Sequence, residues 1–444
     1  MFNIIQDMDS SNCLKLNPIC KKLIKESQCI NILYGILSVP VSIYFCESIN
    51  ENQLLLSANV IELLNIPTTS SYEIYFREPE LIIGPFIGIL TSVTSEQLDK
   101  LVPTLSSYVK YFDIIGGSIV AFSLEGVNQQ KGEITGLIYL SKEKRWVKRN
   151  VSYPSSILSI IETSLTDNWN YYQQTMDHFH KILDNRIFNF PNFNKWTMYQ
   201  MLKNKMNIFL PKTKLYTNPS DVLNMLKLYP SIYIKPLNGR LGKFVYKISQ
   251  NQHGIYVDYF RREKKVNLFK SSRTLSKFLE HVLRNEHYLI QQSIDLFTYD
   301  NRIIDFRIMM VKNELGIWEN IGTFARYGAT NSIVSNISAG GKAEYGVKIL
   351  QTVFHFSASE AEELLEYLDA IALNALSIVE DHGFHCGNIG FDVGIDTSGK
   401  VWIIEMNNQN PDHYIAVKAN KSELYYQASL KNILYAKKLA MKKT

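Results

Sequence analysis

The sequence is poor in cysteine: Cys13, Cys20, Cys29, Cys46 and Cys386 are the five among 444 residues, and none forms a CxxC pair. An odd, unpaired set excludes a disulfide framework and a zinc knuckle, and it fits a reducing, cytoplasmic setting. A large charge excess of one sign is also lacking. Lys+Arg 47 against Asp+Glu 42 leaves +5, too little to indicate nucleic acid, for which a domain pI above about 9 is usual. Two basic runs, 142–148 (KEKRWVK) and 261–265 (RREKK), fall where strand pairs should turn and read as solvated loops. The N-terminus, MFNIIQDMDSS, lacks the charged-then-apolar order of a secretory signal. One charge-free stretch, 27–46, approaches the roughly 20 residues that cross a bilayer. Asn31, Gly35, Ser38 and Pro40 interrupt it, and Ile32, Tyr34 and Ile36 alternate. Two strands around a Ser-Val-Pro turn are therefore expected, not a membrane span. Repeats, low-complexity tracts, a GxxxxGK[ST] loop and a Ser-His-Asp signature are all missing. His385 and Cys386 are neighbours, but sequence neighbours on a strand point opposite ways, so they make no dyad.

What is present is the composition of a soluble globular protein: 46% hydrophobic, 12% aromatic and 20% charged residues. A chain of 444 residues calls for two or three domains. Residues 1–76 read as a small β-rich module. The apolar run LIIGPFIGIL (81–90), a helix capped by Thr94 or Ser95, and strand signals at 114–124, 136–140 and 145–151 make 77–185 an α/β domain. From 186 onward strands and helices alternate more firmly, through YLIQQ (288–292) and two long strands near 303–312 and 318–326. Ser357-Ala358-Ser359-Glu360 is a capping box opening a long helix that stops at Gly383, and a helix over 422–440 closes the chain.

Three constellations carry chemistry. Asp392 and Glu405 lie thirteen residues apart on two predicted strands joined by DTSG, so a hairpin sets them side by side, and alternation puts Asn407 on the face of Glu405. Two carboxylates and an amide at one point suit a hard cation such as Mg²⁺; an exposed hairpin end with solvated acids is the equally weighted plain reading. IKPLNGRLGKFVYKI (234–248) is a strand ending in Lys235, a loop with Gly239 and Gly242, and a second strand. Such a loop lets backbone N–H groups approach phosphate, with Lys235 as a fixed charge, though a glycine hairpin near a lysine is commonplace. In DFRIMMV (305–311) and TFARYGATNSIVSNISAGG (323–341), Arg307 and Arg326 sit on adjacent predicted strands, with Asn336 and Gly340-Gly341 in the loop beyond. Guanidinium forks suit phosphate and carboxylate, and an ordinary cross-strand charge pair is the alternative for either arginine alone.

The order of these elements resembles the ATP-grasp superfamily across about 250 of the 444 residues: Lys195, Lys235, the Gly239–Gly242 loop, IQQ, DFR, Arg326, Asn336 with its glycine pair, Asp392 and the ExN of Glu405 to Asn407. IGPFIGILTS, NRI at Asn185, NKW at Asn194 and LPKT at Leu210 extend the resemblance to the YheC/YheD family of endospore coat-associated ATP-grasp proteins. The implied fold class is α+β / α/β: an ATP-grasp domain over 186–444, with two α+β lobes gripping ATP and a small lobe at about 208–290, after the two modules above. The resemblance implies an ATP- and Mg²⁺-dependent carboxylate–amine or amino acid ligase working through an acylphosphate, with Mn²⁺ as a substitute metal. Its partners would be ATP, a carboxylate, an amine and spore coat proteins; composition and patterning, as above, lead to the expectation of no nucleic acid and no membrane span. The rival implication is a nucleotide-binding but inactive structural component of the coat. By position, Lys195 and Lys235 would hold phosphates under a Gly239–Gly242 flap, and Gln291 and Gln292 would adjoin the hinge whose backbone reads adenine. Asp392, Glu405 and Asn407 would hold Mg²⁺; Arg307, Arg326 and Asn336 would orient the acceptor and stabilise the transferring phosphoryl group. Two departures stand out: Lys243-Phe244 where flaps often carry a third glycine, and Pro411 four residues after Asn407 instead of three.

Overall fold

The structure, a computed structural model, describes every residue except 10, 23, 25–28, 163–168, 240–241, 261–263, 285–286, 331–334, 336–340, 412 and 442–444. At the N-terminus, alternating apolar residues bury one face of each strand, as in Ile30, Ile32 and Tyr34 or Leu54 and Leu56. The strands close into a barrel in the order Phe2–Asp7, Gln53–Ser57, Cys13–Leu16, Leu37–Phe45, Cys29–Tyr34, Glu80–Gly84 and Ser71–Arg77, which returns to the first. Closure removes the exposed edges that an open sheet would leave. The expected Ser-Val-Pro turn is corrected here. Ser38, Val39 and Pro40 lie inside the strand Leu37–Phe45, and the chain reverses at Gly35. Gly35 has φ +63° and a Cβ there would lie 2.3 Å from the Tyr153 carbonyl, so only glycine makes that turn. Pro40 is tolerated because pairing with Cys13–Leu16 begins only at Ser42. No described helix is long and apolar enough to cross a membrane.

A second sheet runs Arg145–Ser152, Glu133–Leu140, Ser118–Asn128, Phe86–Ser92, Ser156–Ser159 and Ile187–Phe188. Its fully buried central strand, Phe86–Ser92, is parallel to both neighbours. The helix Ser95–Val109 follows, with the Thr94 capping box in place. The strand expected from 114 starts at Ser118, because Phe112–Ile115 is a helical turn ended by Gly116 and Gly117, both at positive φ. One apolar core joins this sheet to the barrel, where Tyr34 stacks on Phe86 at 4.8 Å. The 142–145 part of the first basic run is exposed at a strand turn; the second run lies partly outside the described residues.

A third sheet, Thr213–Leu215, Tyr288–Gln292, Ser231–Pro236, Tyr246–Asn251, Gly254–Phe260 and Lys264–Phe269, is backed by Pro219–Leu228 and Ser272–Val282 around its own core. The fourth runs Lys342–Tyr345, Trp318–Tyr327, Arg302–Lys312, Asn388–Ile395 and Val401–Asn407, all antiparallel. The long helix Ala358–Asp381 packs on it, started by the Ser357–Glu360 box. The last helix, Ser422–Ala440, packs on the fourth sheet through Ala428 and on the second through Ile433, Ala436 and Leu439.

Candidate functional site

A cavity of about 300 Å³ opens between the third and fourth sheets. Every candidate site residue that the structure describes lines it: Lys235, Gly239, Gly242, Gln291 and Gln292 from the side of the third sheet, Arg307, Arg326, Asp392, Glu405 and Asn407 from the fourth, and Lys195 from a helix packed on the fourth. Asn336 and Gly340 lie outside the described residues, as do the two residues between Gly239 and Gly242.

The fourth sheet builds its half by register. Asp305 pairs with Arg326, Arg307 with Asp392, and Asp392 with Glu405, so three strand pairings set a row of charges along one face. Asp305 and Arg307 share that face because they are two residues apart. Arg326 grips Asp305 with Nε and Nη2, each at 2.6 Å, and Nη2 reaches Asp392 Oδ2 at 3.0 Å. Arg307 holds the same carboxylate through a close Nε contact and through Nη2 at 3.0 Å, and Asn407 Nδ2 adds a third donor to Oδ2 at 3.3 Å. Gly390 makes room for this: a Cβ there would stand 2.9 Å from Arg307 Nη1. Burial pushes the Asp392 carboxyl up, but the Arg307 and Arg326 guanidinium groups outweigh it and hold it below the usual carboxylate range. Arg326, despite its burial, is raised by Asp305 and Asp392.

Two lysines complete the site. The helix Lys195–Leu202 begins under the Asn194 side chain, which accepts from Trp196 and Thr197 N–H groups at 3.0 Å. That cap aims Lys195 at Glu405 Oε1 (3.0 Å) and the Gly239 carbonyl (2.5 Å). Lys235 stands near the end of its strand and donates to Gln291 Oε1 at 2.6 Å. Burial pulls its ammonium down to about 8, with Lys195 assisting and Glu405 opposing. Among the described residues, six basic side chains and four carboxylates line the cavity, a surplus of two positive charges. That balance suits a polyanion.

Gln291 is laddered on both sides, to Thr213 and Tyr233, and Gln292 N–H is donated to the Lys212 carbonyl at 2.8 Å. A central strand spends its main chain on its neighbours. The wall continues through Ile294, Asp295 and Leu296, which the sequence reading did not single out. It also gave no role to Asp305, Ser335, Lys243 or Lys247, all of which line the cavity. Asp305 had a signal, its place two residues before Arg307; Ser335, which donates to Asp305, had none.

Asp392, Glu405 and Asn407 bring oxygen donors to one wall, the set that a hard divalent cation takes. The residues fit such an ion, although Asp392 is now saturated by guanidinium and amide donors and Glu405 shares an oxygen with Lys195. The amides after Asn407 have structural work. Asn408 lies against the Phe193 main chain, and with its amide turned to suit the two partners its nitrogen stands 3.2 Å from the carbonyl and its oxygen 2.8 Å from the N–H; Gln409 donates to the Ile161 carbonyl at 3.0 Å. Asn410 takes φ 45°, a conformation that asparagine tolerates.

The same half of the chain is matched by a family model described as YheC/D like ATP-grasp, over residues 184–439. Endospore coat-associated protein YheD of Bacillus subtilis (strain 168) is 30% identical over 370 residues, 81% of this chain and 80% of that protein. Endospore coat-associated protein YheC of the same strain is 21% identical over 246 residues, 54% and 67% respectively. Among solved structures, D-cycloserine synthetase DcsG aligns with a TM-score of 0.47 at 10% identity, covering 78% of this chain and 100% of that one. With a family match over more than half its length and a relative of that identity along four-fifths of it, the chain belongs to the YheC/D-like ATP-grasp family.

Proposed function

We propose that this protein is an ATP-dependent ligase that joins a carboxylate to an amine through an acylphosphate, and that it serves endospore coat formation, as the names of its two relatives indicate for them. The observation that carries the reading is the cavity itself: a surplus of positive charge around two lysines, with carboxylate and amide oxygens opposite. Lys195 and Lys235 bind the nucleotide phosphates by leaving Glu405 and Gln291 for a stronger anion. Asp392, Glu405 and Asn407 would hold Mg²⁺, which neutralises phosphate charge when bound. Arg326, whose Nη1 makes none of the contacts to Asp305 and Asp392, stabilises the phosphoryl group in transfer. Arg307 is spent on Asp392 and acts as its holder; Asn336 stays a candidate for orienting the acceptor.

In the first step an acceptor carboxylate oxygen attacks the γ-phosphorus and ADP departs with the bridging oxygen. In the second, the amine forms the C–N bond while the C–O bond to phosphate breaks. The protein supplies position and charge, so no side-chain nucleophile is required. The test is phosphate release from Mg·ATP with a panel of acids and amines. Release that needs both substrates supports the ligase; ADP formed without an amine indicates a kinase. Nucleotide binding with no release across the panel would turn the assignment to a structural coat component.

A further inference from the structure

Asp305 stands in the charge row of the fourth sheet, yet neither the metal ligands nor the phosphate ligands named above include it. It is only 2% exposed, at the cavity wall. A buried carboxylate is costly unless it is paired, so its partners show what it is there to hold. Among the described residues these are Arg326, through Nε and Nη2 at 2.6 Å each, and the Ser335 hydroxyl, which donates to Oδ2.

A guanidinium carries five N–H donors in one plane, one on Nε and two on each Nη. Asp305 takes one donor from Nε and one from Nη2, and Asp392 Oδ2 accepts from Nη2 at 3.0 Å. The two donors left over are both on Nη1. Because the group is planar, clamping its Nε–Nη2 edge fixes the place of Nη1 as well. An arginine side chain has much rotamer freedom, and freedom lost before binding is not lost again on binding. Asp392 is a poorer clamp, since it gives Arg326 one contact and divides its carboxylate among Arg307, Arg326 and Asn407.

We propose that Asp305 is a positioning residue: it holds the Arg326 guanidinium so that Nη1 is set to donate to the γ-phosphate of the nucleotide. This rests on the ligase reading above, in which Arg326 meets the phosphoryl group in transfer. Asp305 itself touches no substrate. Ser335, beyond the strand Trp318–Tyr327, steadies the carboxylate from its other side.

Calorimetry on the full chain compares Mg·ADP with Mg·adenylyl imidodiphosphate, which adds a γ-phosphate, and the readout is the ratio of the two affinities. Asp305→Asn should shift that ratio against the γ-phosphate by about tenfold, the worth of one charge-assisted hydrogen bond, and leave Mg·ADP binding unchanged. Asp305→Glu keeps the charge but moves the carboxylate by one methylene, and it should shift the ratio the same way. Arg326→Gln should match Asp305→Asn, and the double variant should go no further, because the carboxylate acts through the arginine. Folding of each is checked by far-UV circular dichroism; Ser335→Ala, with a smaller shift in the same direction, decides the matter if neither Asp305 variant folds. A ratio that the folded variants leave unchanged, a loss shared equally by both nucleotides, or additive losses in the double variant overturn this inference alone. A native chain that binds neither nucleotide overturns the nucleotide reading beneath it.

Discussion

At Asp392 a single carboxylate oxygen accepts from Arg307, Arg326 and Asn407. Removing one partner of a buried pair leaves charge uncompensated, which costs about 3–5 kcal/mol. Because Arg326 and Asn407 still hold Asp392, Arg307→Ala should fall near the lower end, about 3 kcal/mol by urea unfolding. Glu405 is different: it faces the cavity and is partnered by Lys195, the lysine proposed above to take phosphate. Mg·ATP should raise the thermal midpoint of the native chain, and Glu405→Ala should abolish that rise; a shift that survives would remove Glu405 from the metal site. Lys235 gives a pH dependence. Its folded pKa, about 8, lies below the 10.5 of an ordinary lysine. The unfolded chain therefore holds more protons between these values, and this group's share of stability rises as pH climbs through that window. Nucleotide affinity should run the other way, falling as pH passes about 8 and the ammonium is lost. Titrating Mg·ADP binding against pH checks this, and Lys235→Met should flatten the profile.

Elements were legible where local chemistry fixes them. The Ser357 box satisfies helix donors in both directions, with Glu360 returning to Ser357 N–H at 2.7 Å. Ser357→Ala should cost about 1 kcal/mol, measured as a fall in the thermal midpoint. The hairpin Asn388–Ile395 with Val401–Asn407 was readable from alternation and the DTSG turn, and it does set Asp392 opposite Glu405. The helix Trp169–Leu183 was missed although Tyr172, Met176, Phe179 and Leu183 recur at helical spacing, because polar residues surround them and dilute the pattern. The Asp305–Arg326 and Arg307–Asp392 pairs were not legible at all. Which strands neighbour each other, and in what register, depends on pairing between distant segments.

Across the whole molecule, the helix Ser422–Ala440 fastens the fourth sheet to the second, and Ser156 donates to the Ala436 carbonyl at 2.8 Å inside that contact. Deleting residues 422–444 would expose Ile87, Ile89 and Leu158. Limited proteolysis should then cut within 77–185, far more readily than in the full chain. By itself the sequence determined the β-rich start, the strongest helices, the Asp392–Glu405 hairpin and the order of residues that resembles an ATP-grasp protein. These follow from period, caps and turns, which are local. Barrel closure, the charge row across the fourth sheet, the saturation of Asp392 by two arginines, and the pairing of Lys195 with Glu405 were decided by tertiary structure alone. Each depends on segments up to about two hundred residues apart meeting in one register, and no local pattern encodes that meeting.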